Sequence, residues 1–226
     1  MKRAEALQAL VDMIESVDCR HPLRVGIDGV DCAGKTVLAD ELAELLRASG
    51  REVVRASVDG FHNPRAVRHR RGRGSPEGYY LDSFDLDTLL SDLLLPLGPS
   101  GNRRFRTAAY DWRKDREVCA PVRTAGESSV LLFDGVFLQR PELAGCWDLS
   151  VYVQVRFDTS LRRGMRRDCE ALGGRERAAE AYRLRYLPAQ RRYIRTHRPH
   201  ERADVVFHND DPRFPERVFG GGQWGG

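Results

Sequence analysis

Lysine is what this 226-residue sequence most lacks: of 37 basic residues, only Lys2, Lys35 and Lys114 are not arginine. Genome composition by itself can produce such a bias. Against that background, a lysine at position 35 marks a place where a compact ammonium on a flexible stem serves and a planar guanidinium does not. Cysteine is sparse and unpatterned. Cys19, Cys32, Cys119, Cys146 and Cys169 form no C-x-x-C pair and are odd in number. That excludes a disulfide framework and a zinc site of ordinary spacing, and reduced thiols in a cytoplasmic protein are the expectation. No apolar run approaches the length of a membrane span. The first residues do not read as a signal peptide, because Leu7, Leu10, Val11, Ile14 and Val17 recur at helical spacing among charges. No membrane partner is expected.

What is present suits one α/β domain over 1–226. The hydrophobic fraction of 41% can build a core, and the charged fraction of 31% gives a well-solvated surface. The spacing predicts an N-terminal helix over about 3–17, a buried strand at 23–28, a helix at 36–49 and a second strand at 52–58. Residues 60–82, rich in Arg, Gly and Pro, read as a loop. A helix is expected from Phe84 to Leu95, an irregular stretch or short hairpin from 103 to 123, and strands at 130–133, 149–155 and 203–207. Two Arg-rich helical segments fall near 159–171 and 175–197, the second interrupted by Pro188. Residues 220–226, Gly-rich around Trp224, read as a flexible tail after a core of about 23–210. Strand, loop, helix, strand is the pattern of a parallel sheet.

The strongest local signal is Gly29-Val30-Asp31-Cys32-Ala33-Gly34-Lys35-Thr36, a full match to G-x-x-x-x-G-K-[ST]. Glycines let the backbone curl tightly and aim N–H groups at phosphate oxygens, and the helix that follows adds the partial positive charge of its N-terminus. Lys35 then reaches the β- and γ-phosphates of ATP, and the Thr36 hydroxyl holds Mg²⁺. The competing reading, a strand-to-helix turn without ligand, does not call for the lysine.

Two acids stand where such a site needs them. Asp59 ends the second strand, so it emerges at the sheet edge that carries the phosphate loop and can accept a proton from an attacking hydroxyl. Asp134 ends the apolar run Val130-Leu131-Leu132-Phe133, the place of an acid near magnesium. Both precede glycine, so turn formation is the rival reading for each. No Asn-Lys-x-Asp guanine-reading motif occurs, which weighs against a GTPase. Arg162, Arg163, Arg166 and Arg167 cluster on one predicted helix with Arg175 just beyond. They form either a cationic lid over a transferring phosphoryl group or a solvated basic face.

Asp59-Gly60-Phe61-His62, Tyr110-Asp111-Trp112, Asp134-Gly135 and the Arg-Arg-x-x-Arg-Arg-Asp run follow one another in the order of the uridine kinase family. Over roughly residues 23–210 the chain resembles that family, and more broadly the phosphoribulokinase, uridine kinase and bacterial pantothenate kinase superfamily. The resemblance implies a P-loop kinase fold with a central five-stranded parallel sheet, helices on both faces and a mobile lid. It implies Asp59 as general base, and Asp134 as a magnesium acid at a position that is commonly Glu. It implies Tyr110 and Trp112 as aromatics against the base, Asp85 near the ribose, and Arg163, Arg167 and Arg175 in the lid; Phe61 and His62 are candidate substrate contacts, His62 with Arg65, Arg68, Arg70, Arg71 and Arg73 either facing an anionic acceptor or lying in a solvated basic loop. Oligomers are frequent in that family.

One departure is clear. Where the uridine-reading pattern carries a His after the aromatic pair, this sequence has Lys114 and Asp115. The Arg-rich stretch 65–73 after His62 is similar to the pantothenate and sugar-kinase branches, so the acceptor is open among nucleoside, pantothenate and sugar. Readings from other classes are a nucleic-acid-stimulated ATPase and a decayed nucleotide-binding regulator. The net charge of +4 and the absence of a recognisable nucleic-acid module argue against the first, and no nucleic-acid partner is expected. The complete set Lys35, Thr36, Asp59 and Asp134 argues against the second.

Overall fold

Seven buried residues, Leu23–Gly29, form the central strand β1 of a computed structural model that describes residues 2–219. Before it, helix α1 (Arg3–Ser16) packs Leu7, Leu10, Val11 and Ile14 inward at the expected helical spacing. After it come α2 (Lys35–Ala48) and β2 (Val53–Ser57). The chain then reaches α3 (Pro76–Asp82), α4 (Leu86–Leu89), β3 (Val130–Asp134) and β4 (Leu149–Gln154). It closes with α5 (Phe157–Arg167), α6 (Arg175–Ala181), α7 (Leu187–His197), β5 (Val205–His208) and β6 (Glu216–Phe219). The expected tail at 220–226 lies outside the described residues.

The sheet order is β6-β5-β4-β1-β3-β2. Five strands are parallel, as expected, and β6 adds an antiparallel edge to β5. Parallel strands with helices on both faces must be apolar on both sides, and β3 shows it residue by residue. Val130 and Leu132 enter the core beneath α1 and α2, whereas Leu131 and Phe133 enter the opposite core with Phe61, Tyr79, Tyr80 and Phe137. Fully burying each such aliphatic side chain stabilises by about 1.5–3 kcal/mol. The chain leaves β1 towards β2 on one side and reaches β4 on the other. This switch opens a crevice at the strands' carboxyl ends, and the phosphate loop and both acids lie there.

The stretch read as a loop at 60–82 is more ordered than that. It holds a 3₁₀ turn at Val58–Phe61, one helical turn at Arg65–Arg68 and then α3. The signal was local: Ser75 Oγ accepts the Gly78 N–H at 3.0 Å, Pro76 pre-sets the first turn, and Tyr79 and Tyr80 are buried. Arginine density hid it, yet those arginines are largely occupied. Arg70 and Arg71 both bind the buried Asp82, and Arg68 binds Asp115 and the Asn63 carbonyl. The predicted helix at 84–95 is present but widens into a π-turn over Leu90–Leu94 before Pro96. Residues 103–124 form two short antiparallel pairs, Arg104–Phe105 with Arg123–Thr124 and Tyr110–Asp111 with Arg116–Glu117. The Arg-rich helix ends earlier than expected, at Arg167, and Pro188 sits in the first turn of α7 behind a π-turn at Tyr182–Tyr186.

Candidate active site

Gly34 adopts φ of 98°, a left-handed conformation that lets the loop turn into α2, and a Cβ there would lie 2.5 Å from Asn209 Nδ2. Lys35 is buried, and its Nζ donates to the Val30 carbonyl across the loop at 2.8 Å. The loop is held from outside by groups far away in sequence. Asn209 Nδ2 donates to the Ala33 carbonyl at 2.7 Å, and Ser160 Oγ donates to the Asp31 carbonyl at 2.7 Å. Tyr79 OH donates to the Asp31 carboxylate at 2.9 Å, and Gln190 Nε2 donates to the same oxygen. Burial pushes the Asp31 carboxyl up, with Lys35 opposing. Asp31 is thus a bracket for the loop, and its position inside the motif carried no hint of that.

Thr36 and Asp134 meet: the Thr36 hydroxyl donates to Asp134 Oδ2 at 2.7 Å, and Arg55 holds Asp134 Oδ1 at 3.0 Å. Asp134 is buried at the end of β3, whereas Thr36 is exposed at the start of α2. A hydroxyl and one carboxylate are hard oxygen donors. They fit Mg²⁺, which takes few protein ligands and completes its octahedron with phosphate oxygens and water. Deeper still, Tyr193 OH donates to Asp28, whose carboxyl burial pushes up, and this pair props β1 below the loop.

Asp59 lies on the 3₁₀ turn after β2 with its side chain 65% exposed to the crevice. His62 Nε2 stands 3.5 Å from its Oδ1. Desolvation in the crevice raises the Asp59 carboxyl, but the His62 hydrogen bond and charge, with Lys35 and Arg167, outweigh it and hold the group below the usual carboxylate range. His62 packs on Phe84 at 4.6 Å and faces Trp112 at 5.7 Å between ring centroids. Tyr110 OH donates to Asp115 Oδ1 at 3.1 Å, so the Asp found in place of a base-reading His organises the hairpin. The Ala109 N–H donates to the Gly60 carbonyl at 2.8 Å and ties that hairpin to the Asp59 turn.

Three other expected site residues also hold parts of the fold. Phe61 is fully buried in the core, where it anchors the turn that carries Asp59. Asp85, the acid expected near the ribose, also caps α4 by accepting the Thr88 N–H at 3.0 Å and the Thr88 hydroxyl at 2.7 Å. Arg163 donates to the carbonyls of Cys32, Ala33, Asn209 and Asp210, so it is a strut between α5, the loop and the end of β5. Arg175 opens α6 at the surface. Arg167, at the end of α5, is the arginine of this cluster whose charge reaches Asp59, Asp31 and Cys32. It is aimed by Asp168, and the Asp168 carboxylate also accepts the Tyr182 OH at 2.6 Å.

The Tyr182 hydroxyl also lies 3.2 Å from Cys32 Sγ, joining the π-turn after α6 to the phosphate loop. Its ring lies against Gly164, where an added Cβ would come within 2.1 Å of Tyr182 Cζ. Gly164→Ala is therefore expected to destabilise the protein by about 1–3 kcal/mol through overpacking, read as a lowered Tm. An unchanged Tm would show that Tyr182 steps aside freely and that its contact with the loop is not held by this packing.

A phosphate loop on the central strand, a hydroxyl–carboxylate pair and an open carboxylate share one crevice, the arrangement of a P-loop phosphotransferase. The profile of the phosphoribulokinase / uridine kinase family matches residues 25–213. The chain belongs to that family. Uridine-cytidine kinase B of Dictyostelium discoideum is 26% identical over 192 residues, covering 83% of this chain and 74% of the relative. A uridine kinase of Leuconostoc citreum is 26% identical over 156 residues, covering 67% and 71% of the two chains. The solved structure of a possible uridine kinase from Bacillus stearothermophilus superposes with a TM-score of 0.71 at 25% identity, over 90% of this chain and 97% of that one. Among the described residues no helix is long and apolar enough to cross a membrane.

Proposed function

We propose that this protein is a cytoplasmic, uridine kinase-like enzyme of one kinase domain, passing the γ-phosphoryl group of ATP to the 5′-hydroxyl of uridine or cytidine. The observation that carries the reading is the place of Asp59, an open carboxylate within reach of the charges of Lys35 and Arg167, on a turn whose His62 packs against Trp112. The part-exposed Trp112 ring suits a planar base, and the carboxylate suits the hydroxyl joined to it.

Asp59 orients the acceptor hydroxyl and takes its proton as that oxygen bonds to the γ-phosphorus and the bond to the β-phosphate oxygen breaks. Lys35 follows the charge from ground state to leaving group, and Arg167 covers the transferring oxygens from the lid. Thr36 and Asp134 would hold Mg²⁺, which when bound neutralises phosphate charge. Arg163, Asn209, Ser160, Tyr79 and Gln190 keep the loop in one conformation, so the donors are in place before the reaction. Most guanidinium groups of the 65–73 loop are spent on Asp82, Asp115 and backbone carbonyls, which counts against a polynucleotide surface there.

The test is ADP release from ATP·Mg²⁺ with uridine, cytidine, pantothenate and plain or phosphorylated sugars, against a no-acceptor background. Uridine or cytidine is expected to stimulate release well above the rest. Stimulation by pantothenate or a sugar alone would move the acceptor class while keeping the phosphotransferase, and ATP binding with silence across the panel would point to a regulator.

A further inference from the structure

Residues 61–63 and 83–85 run side by side. The Asp85 N–H donates to the Phe61 carbonyl at 2.8 Å, the Asn63 N–H donates to the Ser83 carbonyl at 2.9 Å, and His62 and Phe84 form an antiparallel bridge. The two segments are therefore clamped by backbone, and the His62 ring between them is fixed by more than its own rotamer. His62 Nδ1 lies 2.9 Å from the same Ser83 carbonyl. A carbonyl only accepts, so Nδ1 carries the hydrogen and Nε2 is the nitrogen left to face Asp59 Oδ1 at 3.5 Å. A bare lone pair facing a carboxylate would be repulsive, so this contact is attractive only with a proton between the two groups. The rings of Phe84 and Trp112 hold the imidazole on its other sides, and its side chain is only 11% exposed.

We propose that His62 is the positioning residue of the Asp59 carboxylate: anchored through Nδ1 to the Ser83 backbone, it holds Oδ1 through Nε2 and leaves Oδ2 to the acceptor hydroxyl. The inference rests on the reading of Asp59 as the base. It removes His62 from the acceptor's contacts and gives it to the base, with Ser83 as the fixed point behind both. The chain Ser83 carbonyl, His62, Asp59 then sets the direction from which a hydroxyl is received. An unassisted carboxylate, most of it in solvent, would rotate through many directions.

The charged and titratable groups that face Asp59 are His62 on its own turn, Lys35 from α2, Arg167 from α5, Asp31 from the phosphate loop and Tyr79 from α3. His62 is the largest of the influences that favour the carboxylate. The direction of the pH effect follows. Only ionised Asp59 accepts the proton, and losing a hydrogen-bonding partner of the carboxylate makes it easier to protonate. Without His62, the acid limb of kcat therefore moves to higher pH.

Two variants test this in the full-length protein. His62→Phe keeps the ring between Phe84 and Trp112 but cannot bond either partner. His62→Gln offers a neutral donor of similar reach. Thermal melts establish that both fold. The expected result for His62→Phe is a kcat about tenfold to a hundredfold lower, an unchanged KM for ATP and an acid limb at higher pH. His62→Gln is expected to recover part of kcat. The Asp59 carboxyl carbon, followed by ¹³C NMR across pH without any acceptor, is expected to titrate at higher pH in His62→Phe than in the wild type. An Asp59 titration that does not move overturns the proposal whatever the acceptor is, as does an unaltered kcat with an unaltered acid limb. A shifted titration in a protein that phosphorylates nothing would support the contact while defeating the kinase reading, so the two failures are told apart.

Discussion

Asp59→Asn is expected to lower kcat by about 10²–10⁴-fold with little change in KM for ATP, the usual weight of one general base. The amide keeps size and shape, so the carboxylate's charge and basicity are what the measurement isolates. The fold is expected to survive, because the Asp59 side chain stands 65% exposed at the crevice and, among the described residues, its one close side-chain partner is His62. ATP binding, read by nucleotide titration, is expected to persist, since the phosphate loop is held by Asn209, Ser160 and Arg163 and not by Asp59. Wild-type turnover in the amide variant would remove Asp59 from the chemistry and leave acceptor alignment to other residues.

Lys35→Ala is expected to cost turnover on the order of 10²–10³-fold and to raise KM for ATP as well, because the ammonium faces phosphate both before and during transfer. The loss of both parameters distinguishes it from Asp59→Asn, which acts on the step alone. Stability is expected to change little. Lys35 makes one side-chain hydrogen bond, to the Val30 carbonyl at 2.8 Å, and α2 keeps Leu38, Leu42 and Leu46 in the core. Full activity in Lys35→Ala would mean that the loop amides and Arg167 suffice to hold the γ-phosphoryl group. A second check is Lys35→Arg, expected to recover little, since a planar guanidinium does not fit the place of an ammonium inside a tight loop.

The parts of this architecture that depend on near neighbours were legible from the residues. The phosphate loop needs glycines, lysine and threonine at fixed offsets, and the strand before it and helix after it announce themselves by apolar runs of different period. Asp134 could be placed because four apolar residues precede it, and Asp59 because it follows a strand by one short turn. The helix at Pro76–Asp82 was legible as well, through Ser75 and Pro76, but arginines nearby drew the reading towards a loop. Those arginines were misleading because sequence shows charge without showing its partner, and Asp82 and Asp115 lie beyond the stretch they neutralise.

Sequence alone thus determined the reaction class, through a motif whose chemistry is written in consecutive residues, and the family, through the order of weaker motifs. Tertiary structure alone decided which distant side chains these residues meet. Asp31 became a bracket to Tyr79 and Gln190, Arg163 a strut, Phe61 a core residue and Asp85 a helix cap. Asn209 was brought to Ala33 across 176 positions of chain and Gln190 to Asp31 across 159. The physical reason is that a polar side chain finds its partner according to how strands are ordered in the sheet. That order, β2-β3-β1-β4-β5 among the parallel strands, is set by the packing of two cores and not by any local pattern.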